Sequence, residues 1–567
     1  MKKEPKKPPA AKHKTAVETT KPNSDQPSVA VWGKAVDWLR RHGYKFYPLL
    51  LGLFPLLSFY GSNKSEIQSG DFNIITFFLF NLIIVGLVWL VAWLAIRSAA
   101  KASLLSAVLL LIFFSFGRVH DNIGSWSIKT PFTQLGPTKI LLLISLAILV
   151  AVWFGLRRLS PKATGQLSLT LTVVGIYLFI STLISVGLAA GSGAKVAKQS
   201  DQPLSINTKK LDSAKLPDIY YILLDGYARA DILKDKNTFN YDNSGFIKDL
   251  EKRGFYVAAK SNANYAHTHV SVPSTFNMKY LNYLTAIMGP DSTDRAPLQK
   301  LMRYNQVVPI FKNFGYKYVN IGSQWGWTAD SPYSDIEIKS DRFADSKILG
   351  IKLDEFALVY LQTTAIKPWI SSSIRGNLLA KVQGAFERTE KASQLPEPTF
   401  TFSHILAPHP PYLFNRQGPI AGLTDKLALD NPGFSNRKGY VDQLVYTNKL
   451  TLHMIDTILK NSDMPPIIIL ASDHGPASSL ERKDFQVSDP KKLNVAGVRE
   501  RQANLNAYYF PDRNYKKLYP SFTPVNSFRL VLDQYFGQNL KLLPDKAYFF
   551  DNKSHEYRFL DVTNLVD

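Results

Sequence analysis

Five apolar stretches crowd the first third of a 567-residue chain, and they constrain its fold more than anything after them. They are Phe46–Tyr60, Phe72–Ile96, Ser103–Phe116, Ile140–Leu156 and Leu167–Ala190. A helix needs about 20 apolar residues to cross a bilayer. The second and fifth stretches meet that length, and the fourth comes close. The first, which carries Pro48 and Pro55, and the third are short. Each of these two is either a span completed by its flanks or a helix buried in a protein core.

Charge orients the spans. The chain carries a formal +22, concentrated at the start: residues 1 to 45 hold eleven Lys or Arg against four acids, a balance of +7. A basic lead suits nucleic acid or an anionic membrane face. The apolar segments behind it select the membrane, so no nucleic-acid partner is expected. The second connection carries Arg97 and Lys101, and the fourth carries Arg157, Arg158 and Lys162, neither with an acid. The first sets Lys64 against Glu66 and Asp71, while Arg118 and Lys129 in the third run against the pattern. The positive-inside rule then makes the N-terminus cytoplasmic, and five crossings put everything beyond about residue 195 outside the cell membrane. Four crossings would leave it inside.

Residues 1–28, rich in Lys, Pro, Ser and Thr, read as a disordered tail. Val31, Trp32, Ala35, Val36 and Leu39 fall at helical spacing beside Arg40 and Arg41. They predict either an interfacial helix on the inner leaflet or an extension of the first span. The membrane part is placed at 29–192, a small, polar linker at 193–216, and a soluble catalytic domain at 217–567. The long basic lead followed by several spans does not read as a cleaved signal peptide. There is no cysteine, which excludes disulfides, thiolate metal ligands and a cysteine nucleophile.

Beyond the linker, strand-like and helix-like patterns alternate, as in α/β layer folds. Strands are predicted at 218–224, 316–321, 398–402 and 465–472, and helices at 243–253 and 439–460. Short β-branched runs such as Pro465 to Ser472 read as buried parallel strands, and α/β sheets collect their chemistry past the carboxyl ends of such strands. Asp473-His474-Gly475 leaves one strand end and Asp225-Gly226 another. Two carboxylates and an imidazole at one sheet edge suit a divalent metal; each motif is otherwise a turn. Thr268 lies in Tyr265-Ala266-His267-Thr268-His269, followed by Ser271, Ser274 and Thr275. A helix starting here would turn its first N–H groups to an anion, whereas an ordinary cap would serve only the helix. His404 and His409, placed after the strand at 398–402, can bind phosphate, protonate a leaving oxygen or hold a second metal. The alternative is a proline-stiffened loop with surface histidines. Arg499 and Arg501 are either phosphate ligands or a surface pair. Trp325 and Trp327 either stack on a sugar or glycerol or pack in the core.

These residues together resemble the alkaline-phosphatase/sulfatase superfamily, in particular the membrane-bound branch of lipoteichoic acid synthases and phosphoethanolamine transferases. The resemblance spans residues from about 46 to 550. In those transferases a nucleophilic Thr stands five residues before the Pro of a Ser-Val-Pro sequence; Thr268 holds that place before Ser271-Val272-Pro273. Their His-x4-His-Gly-Pro element is matched by His404 and His409 with Pro410-Pro411, their Asp-His pair by Asp473-His474, and their first-strand carboxylate by Asp225. Four features depart from the pattern, the first being that the disulfide cysteines common around the transferase nucleophile are missing. Pro476 replaces the Glu of Asp-His-Gly-Glu, Thr275 replaces the Arg of the sulfatase signature, and the only later histidine is His555.

The resemblance implies about five transmembrane helices followed by an α/β/α sulfatase-like domain. It implies one divalent metal (zinc, manganese, magnesium or calcium) held by Asp225, Thr268, Asp473 and His474. Catalysis is expected from Thr268, His404 and His409, with Ser271, Trp325, Trp327, Arg499 and Arg501 toward the substrate. The implied reaction moves a phosphoethanolamine- or phosphoglycerol-type head group from a membrane phospholipid to an envelope glycan or lipid, through a phospho-threonine. Two other readings remain open: a sulfatase or phosphodiesterase using the same site, and a non-catalytic membrane scaffold.

Overall fold

A helix that is apolar on every side has no face to turn to water, and such helices dominate the N-terminal third. The computed structural model describes residues 29–63, 74–123, 128–129, 134–188, 206, 216–323, 325–341, 347–348, 351–352, 355–420, 433–481, 483–487, 489–549 and 555–566. The tail at 1–28, and the linker at 193–216 apart from residues 206 and 216, lie outside them.

Six helices come first: α1 (Val29–His42), α2 (Tyr47–Asn63), α3 (Ile74–Ile96), α4 (Ala99–Asn122), α5 (Pro137–Arg158) and α6 (Pro161–Leu188). Helices α3 to α6 are long and apolar enough to cross a membrane. The short stretch Ser103–Phe116 joins them because its flanks extend it to the 24 residues of α4. The first stretch forms α2, whose 17 residues with Pro55 inside fall short of that length. Helix α1 is set off from α2 by a 3-10 turn at Gly43–Lys45, so it is no straight extension of the first span; it lies along α6. Only 17% of the apolar window of α3 is buried within the protein. Ile75, Leu79, Ile83, Leu87 and Leu94 face outward, an arrangement suited to lipid and costly in water. Helix α4, half buried, is the centre of the bundle.

The second half is built on a six-stranded sheet. Its main strands are β1 (Ile219–Leu224), β2 (Tyr256–Val257), β3 (Lys317–Ile321), β4 (Thr399–Ile405), β5 (Ile467–Ala471) and β6 (Asn506–Tyr509), in the order β2-β6-β5-β1-β4-β3. Strands β5, β1, β4 and β3 run parallel; β6 and β2 add an antiparallel edge. Every residue of β1 is buried, as a central parallel strand requires. Alternation splits its side chains between two cores: Tyr220, Ile222 and Leu224 face one, and Ile219, Tyr221 and Leu223 the other. Between β3 and β5 run two long helices, α7 (Lys367–Ala392) and α8 (Arg437–Asn461), which pack against each other. The helix expected at 243–253 is present as Ser244–Lys252, and Gly254, at φ +88°, follows its last turn. Strand β4 extends three residues past the predicted 398–402 end, so His404 is a strand residue rather than a loop residue.

The core continues from the bundle into the sheet domain: Leu56, Phe77, Leu110 and Phe114 belong to the same cluster as Tyr360, Leu361 and Ile222. Asn81, fully buried in α3, donates to Gly52 O at 2.9 Å and exchanges hydrogen bonds with Tyr360 Oη at 2.7 and 2.9 Å. Gly117 N donates to Thr363 O at 3.0 Å, and a Cβ at Gly117 would overlap the Gln362 carbonyl. Gly117→Val therefore parts α4 from the segment 355–367. Losing a hydrogen bond worth about 1 kcal/mol raises amide exchange across that segment about fivefold. Unchanged exchange there would show that this contact does not hold the two halves together.

Candidate active site

Strand register decides which polar groups meet. Leu223 of β1 pairs with Ala471 of β5 on one side and with His404 of β4 on the other. Asp225 and Asp473 each stand two residues beyond those paired positions, so both carboxylates arrive at the same level of the same edge. Gly475 lets the chain turn away, since a Cβ there would overlap the carbonyls of Glu500 and Ala503. Ser271 Oγ donates to Asp473 O at 2.7 Å and ties the threonine segment to this edge.

Thr268 is the first residue of α9 (Thr268–Phe276), so the N-terminal end of this helix, with its unpaired N–H groups, opens on the site. (It precedes α7 and α8 in the chain.) Its Oγ1 lies 3.1 Å from His474 Nε2. His474 Nδ1 donates to Gly475 O at 2.9 Å, which fixes the tautomer and leaves Nε2 with its lone pair facing Thr268. Arg501 Nη2 reaches the same atom at 3.0 Å, while Nε donates to Ala266 O and Nη1 to Gly475 O at 2.6 and 3.0 Å. Asp473 Oδ2 is 3.1 Å from His474 Nε2 and Asp225 Oδ1 is 3.8 Å from it.

Asp225, Asp473 and His474 are all buried, and their ligand atoms lie within 4.8 Å of one another. Among the described residues no other cluster of this kind occurs. Asp225 Oδ1 and Asp473 Oδ2 are enclosed without a hydrogen-bond partner. Two buried carboxylate oxygens aimed at one point beside an imidazole lone pair fit a divalent cation; without one they would repel at short range. Burial raises the Asp225 carboxyl, but the neighbouring His409, then His404 and His474, outweigh it and hold it well below the usual range. Burial, and then the Asp225 charge, push Asp473 up. Burial and then Arg501 hold His474 well below an ordinary histidine, which keeps it neutral as a ligand must be. Arg501 is lowered to about 10 by burial and stays charged at neutral pH.

His404 is fully buried; its Nδ1 meets Thr328 Oγ1 at 2.8 Å and its Nε2 faces Asp225 Oδ2 at 3.3 Å, without hydrogen-bond geometry. His409 is more open: its backbone N–H donates to Asp225 O at 3.1 Å and its ring packs on Phe434. Trp325 and Trp327 stack 5.2 Å apart; Trp325 meets the His404 ring edge-on, and Trp327 is buried against His269. Arg499 is not brought to the site: it lies at the surface and pairs with Asp231 at 3.3 Å. His555 likewise sits away from the cluster, 3.4 Å from Asp291. Sequence reasoning passed over Thr328, which orients His404, and Glu556, which holds His269 at 2.8 Å and Arg295 at 2.7 Å. No spacing signal marks either one, because their partners are distant in the chain.

The sequence model of the Sulfatase family matches residues 217–528. No curated protein matches the chain. Among solved structures, the C-terminal periplasmic domain of EcEptC from Escherichia coli aligns at 12% identity, covering 63% of this chain and 96% of its own, with a TM-score of 0.37. Lipooligosaccharide phosphoethanolamine transferase A (EptA) from Neisseria meningitidis aligns at 12% identity over 86% of this chain and 94% of its own, with a TM-score of 0.35. A sulfatase from Bacteroides thetaiotaomicron VPI-5482, described as putative, aligns at 12% identity over 60% and 75%, with a TM-score of 0.33.

Manganese or zinc at about a hundred times its dissociation constant should stabilise the full-length protein by about 2.7 kcal/mol. In Asp225→Ala that rise in melting temperature disappears. An equal rise in the variant would remove Asp225 from the ligand set.

Proposed function

Because this chain belongs to the sulfatase family, and so is an enzyme acting on phosphate or sulfate esters, we propose that it is a phosphoryl head-group transferase working at a membrane surface. The observation that carries this reading is Thr268. Its hydroxyl stands at a helix N-terminus, 3.1 Å from His474 Nε2 and inside the group formed with Asp225 and Asp473. A divalent cation held by Asp225, Asp473, His474 and Thr268 supplies, when bound, the positive charge that makes a hydroxyl nucleophilic at neutral pH.

Thr268 Oγ1, its proton released to water, attacks the phosphorus of a phospholipid head group; the Thr268 O–P bond forms, the bond to the diacylglycerol oxygen breaks, and that oxygen takes the Nε2 proton of a doubly protonated His409. The start of α9 and the Arg501 guanidinium face the phosphoryl oxygens. His409 Nδ1 donates to Pro410 O, which leaves Nε2 for the leaving oxygen. In the second half-reaction an envelope glycan or lipid hydroxyl passes its proton to His409, attacks the phospho-threonine and frees Thr268. His404, oriented by Thr328, stands beside the Asp225 carboxylate at 3.3 Å.

Phosphate is favoured over sulfate by Ser271. It is the serine of the sulfatase-like Ser-Val-Pro-Ser segment, yet its hydroxyl is occupied by Asp473 O and it is 1% exposed. The spans keep the site beside its lipid donor. Counting the 17-residue α2 as a fifth, shorter crossing beside α3 to α6, with the N-terminus inside, the domain faces the exterior, where lipids rather than cytoplasmic nucleotides supply phosphoryl groups.

Membranes carrying Thr268→Ala should release diacylglycerol from labelled phospholipid about 1000-fold more slowly or worse. Unchanged release would remove Thr268 from its role, and strong turnover of aryl sulfates by the wild type would replace transfer with sulfate hydrolysis. An alkaline phosphatase reporter fused after Lys198 should be active. Fluorescence there from a cytoplasm-only reporter would overturn both the topology and the lipid donor.

A further inference from the structure

The helix ends farthest from the sheet domain enclose a cavity of about 390 Å³. Arg40 and Arg41 reach it from the last turn of α1, Lys101 from the first turn of α4, and Lys162 from the first turn of α6. None of its lining residues is acidic. Asp37 pairs with Arg40 Nη1 at 2.7 Å, an exposed contact that neutralises one of the four cations in part. Arg40 Nε, by contrast, is buried and has no hydrogen-bond partner. Its aliphatic stem lies on Gly165 of α6, where a Cβ would come within 3.1 Å of Arg40 Cγ.

Two long helices also begin at this cavity. Ser98, ahead of α4, makes no side-chain cap, so the first N–H groups of that helix are left for another acceptor. Ser160 caps α6 at Ala163 N alone, at 3.3 Å. Two positive helix ends and four cationic side chains around one cavity amount to a site for a multiply coordinated anion.

Depth identifies the anion's carrier. From this cavity α4 runs to Asp121, which pairs with Lys367 of the sheet domain. At 1.5 Å per residue, that length is about 33 Å, close to the roughly 30 Å hydrocarbon core. The cavity therefore sits at the opposite membrane face from the catalytic domain. Trp38 and Phe46, 51% and 41% exposed, stand two residues along the chain from the lining residues Arg40 and Tyr44, where aromatics suit the level of the head groups. We infer that this cavity binds the phosphate of an anionic phospholipid in the leaflet away from the active site, a lipid distinct from the donor.

The full-length protein in nanodiscs of phosphatidylcholine, doped with spin-labelled phosphatidylglycerol or spin-labelled phosphatidylcholine, tests this. The wild type should immobilise the anionic label in preference to the neutral one. Lys101→Gln with Lys162→Gln should reduce that preference about thirtyfold, the effect expected of two interfacial cations. Removing two charges at the other end of the bundle, Arg118→Gln with Lys139→Gln, should leave it intact. Equal loss in both double variants would reduce the effect to diffuse charge and overturn the site. Displacement of the label by millimolar inorganic phosphate would assign the cavity to a free anion instead. No preference in the wild type would also overturn it.

Discussion

Two carboxylates held at one buried sheet edge are the interaction on which the rest of this structure depends. Asp225 and Asp473 are brought together by strand register, not by each other: β1 pairs with β5, and the chain leaves these two strands at one level. Like charges in a low-dielectric site cost several kcal/mol unless a cation lies between them or one takes up a proton. Everything around them answers that cost with positive charge. His404 and His409 stand beside Asp225, Arg501 is buried beside the neutral His474, and the first turn of α9 points its dipole at the same place. The same field that tolerates paired carboxylates around a cation also suits the anionic group of a phosphate or sulfate ester.

That field is kept in place by buried hydrogen bonds and one ion pair. His474 is locked by Gly475 O, His404 by Thr328, and the Thr268 segment by Ser271 on one side and the His269–Glu556 pair on the other. Each of these bonds is between buried groups, so none is weakened by competing water. The geometry is therefore prepared before substrate arrives, as electrostatic catalysis requires.

The membrane half does more than anchor the domain. The buried core runs without a break from Leu56 and Phe77 to Tyr360 and Ile222, and Asn81 finds its partners in Gly52 and Tyr360. An amide buried among apolar helices is stable only when satisfied, so the segment carrying Tyr360 belongs to the bundle as much as to the sheet domain. Lys367 and Asp121 close the same seam at its polar rim.

The one-dimensional pattern determined the apolar helices, the buried strands and the groups most able to hold a metal, because hydrophobic period and strand-end chemistry are local properties. Val-, Ile- and Leu-rich runs followed by Asp473-His474 or Asp225 mark a sheet edge wherever they fold. Local pattern allowed a helix start at Thr268 without deciding it; the fold makes Thr268 the first residue of α9. The pattern did not separate Arg499 from Arg501: two residues apart on one short helix, they point in different directions, one to Asp231 and one to His474. It ended β4 too early, since Ser403 and His404 are polar and only their place between two parallel strands makes them part of the sheet. Nor did it show Glu556, Thr328 or Tyr360, whose importance comes from partners tens to hundreds of residues away. Contacts of that range carry no periodic signature. They exist only once the chain has closed on itself, which is why tertiary structure alone decided them.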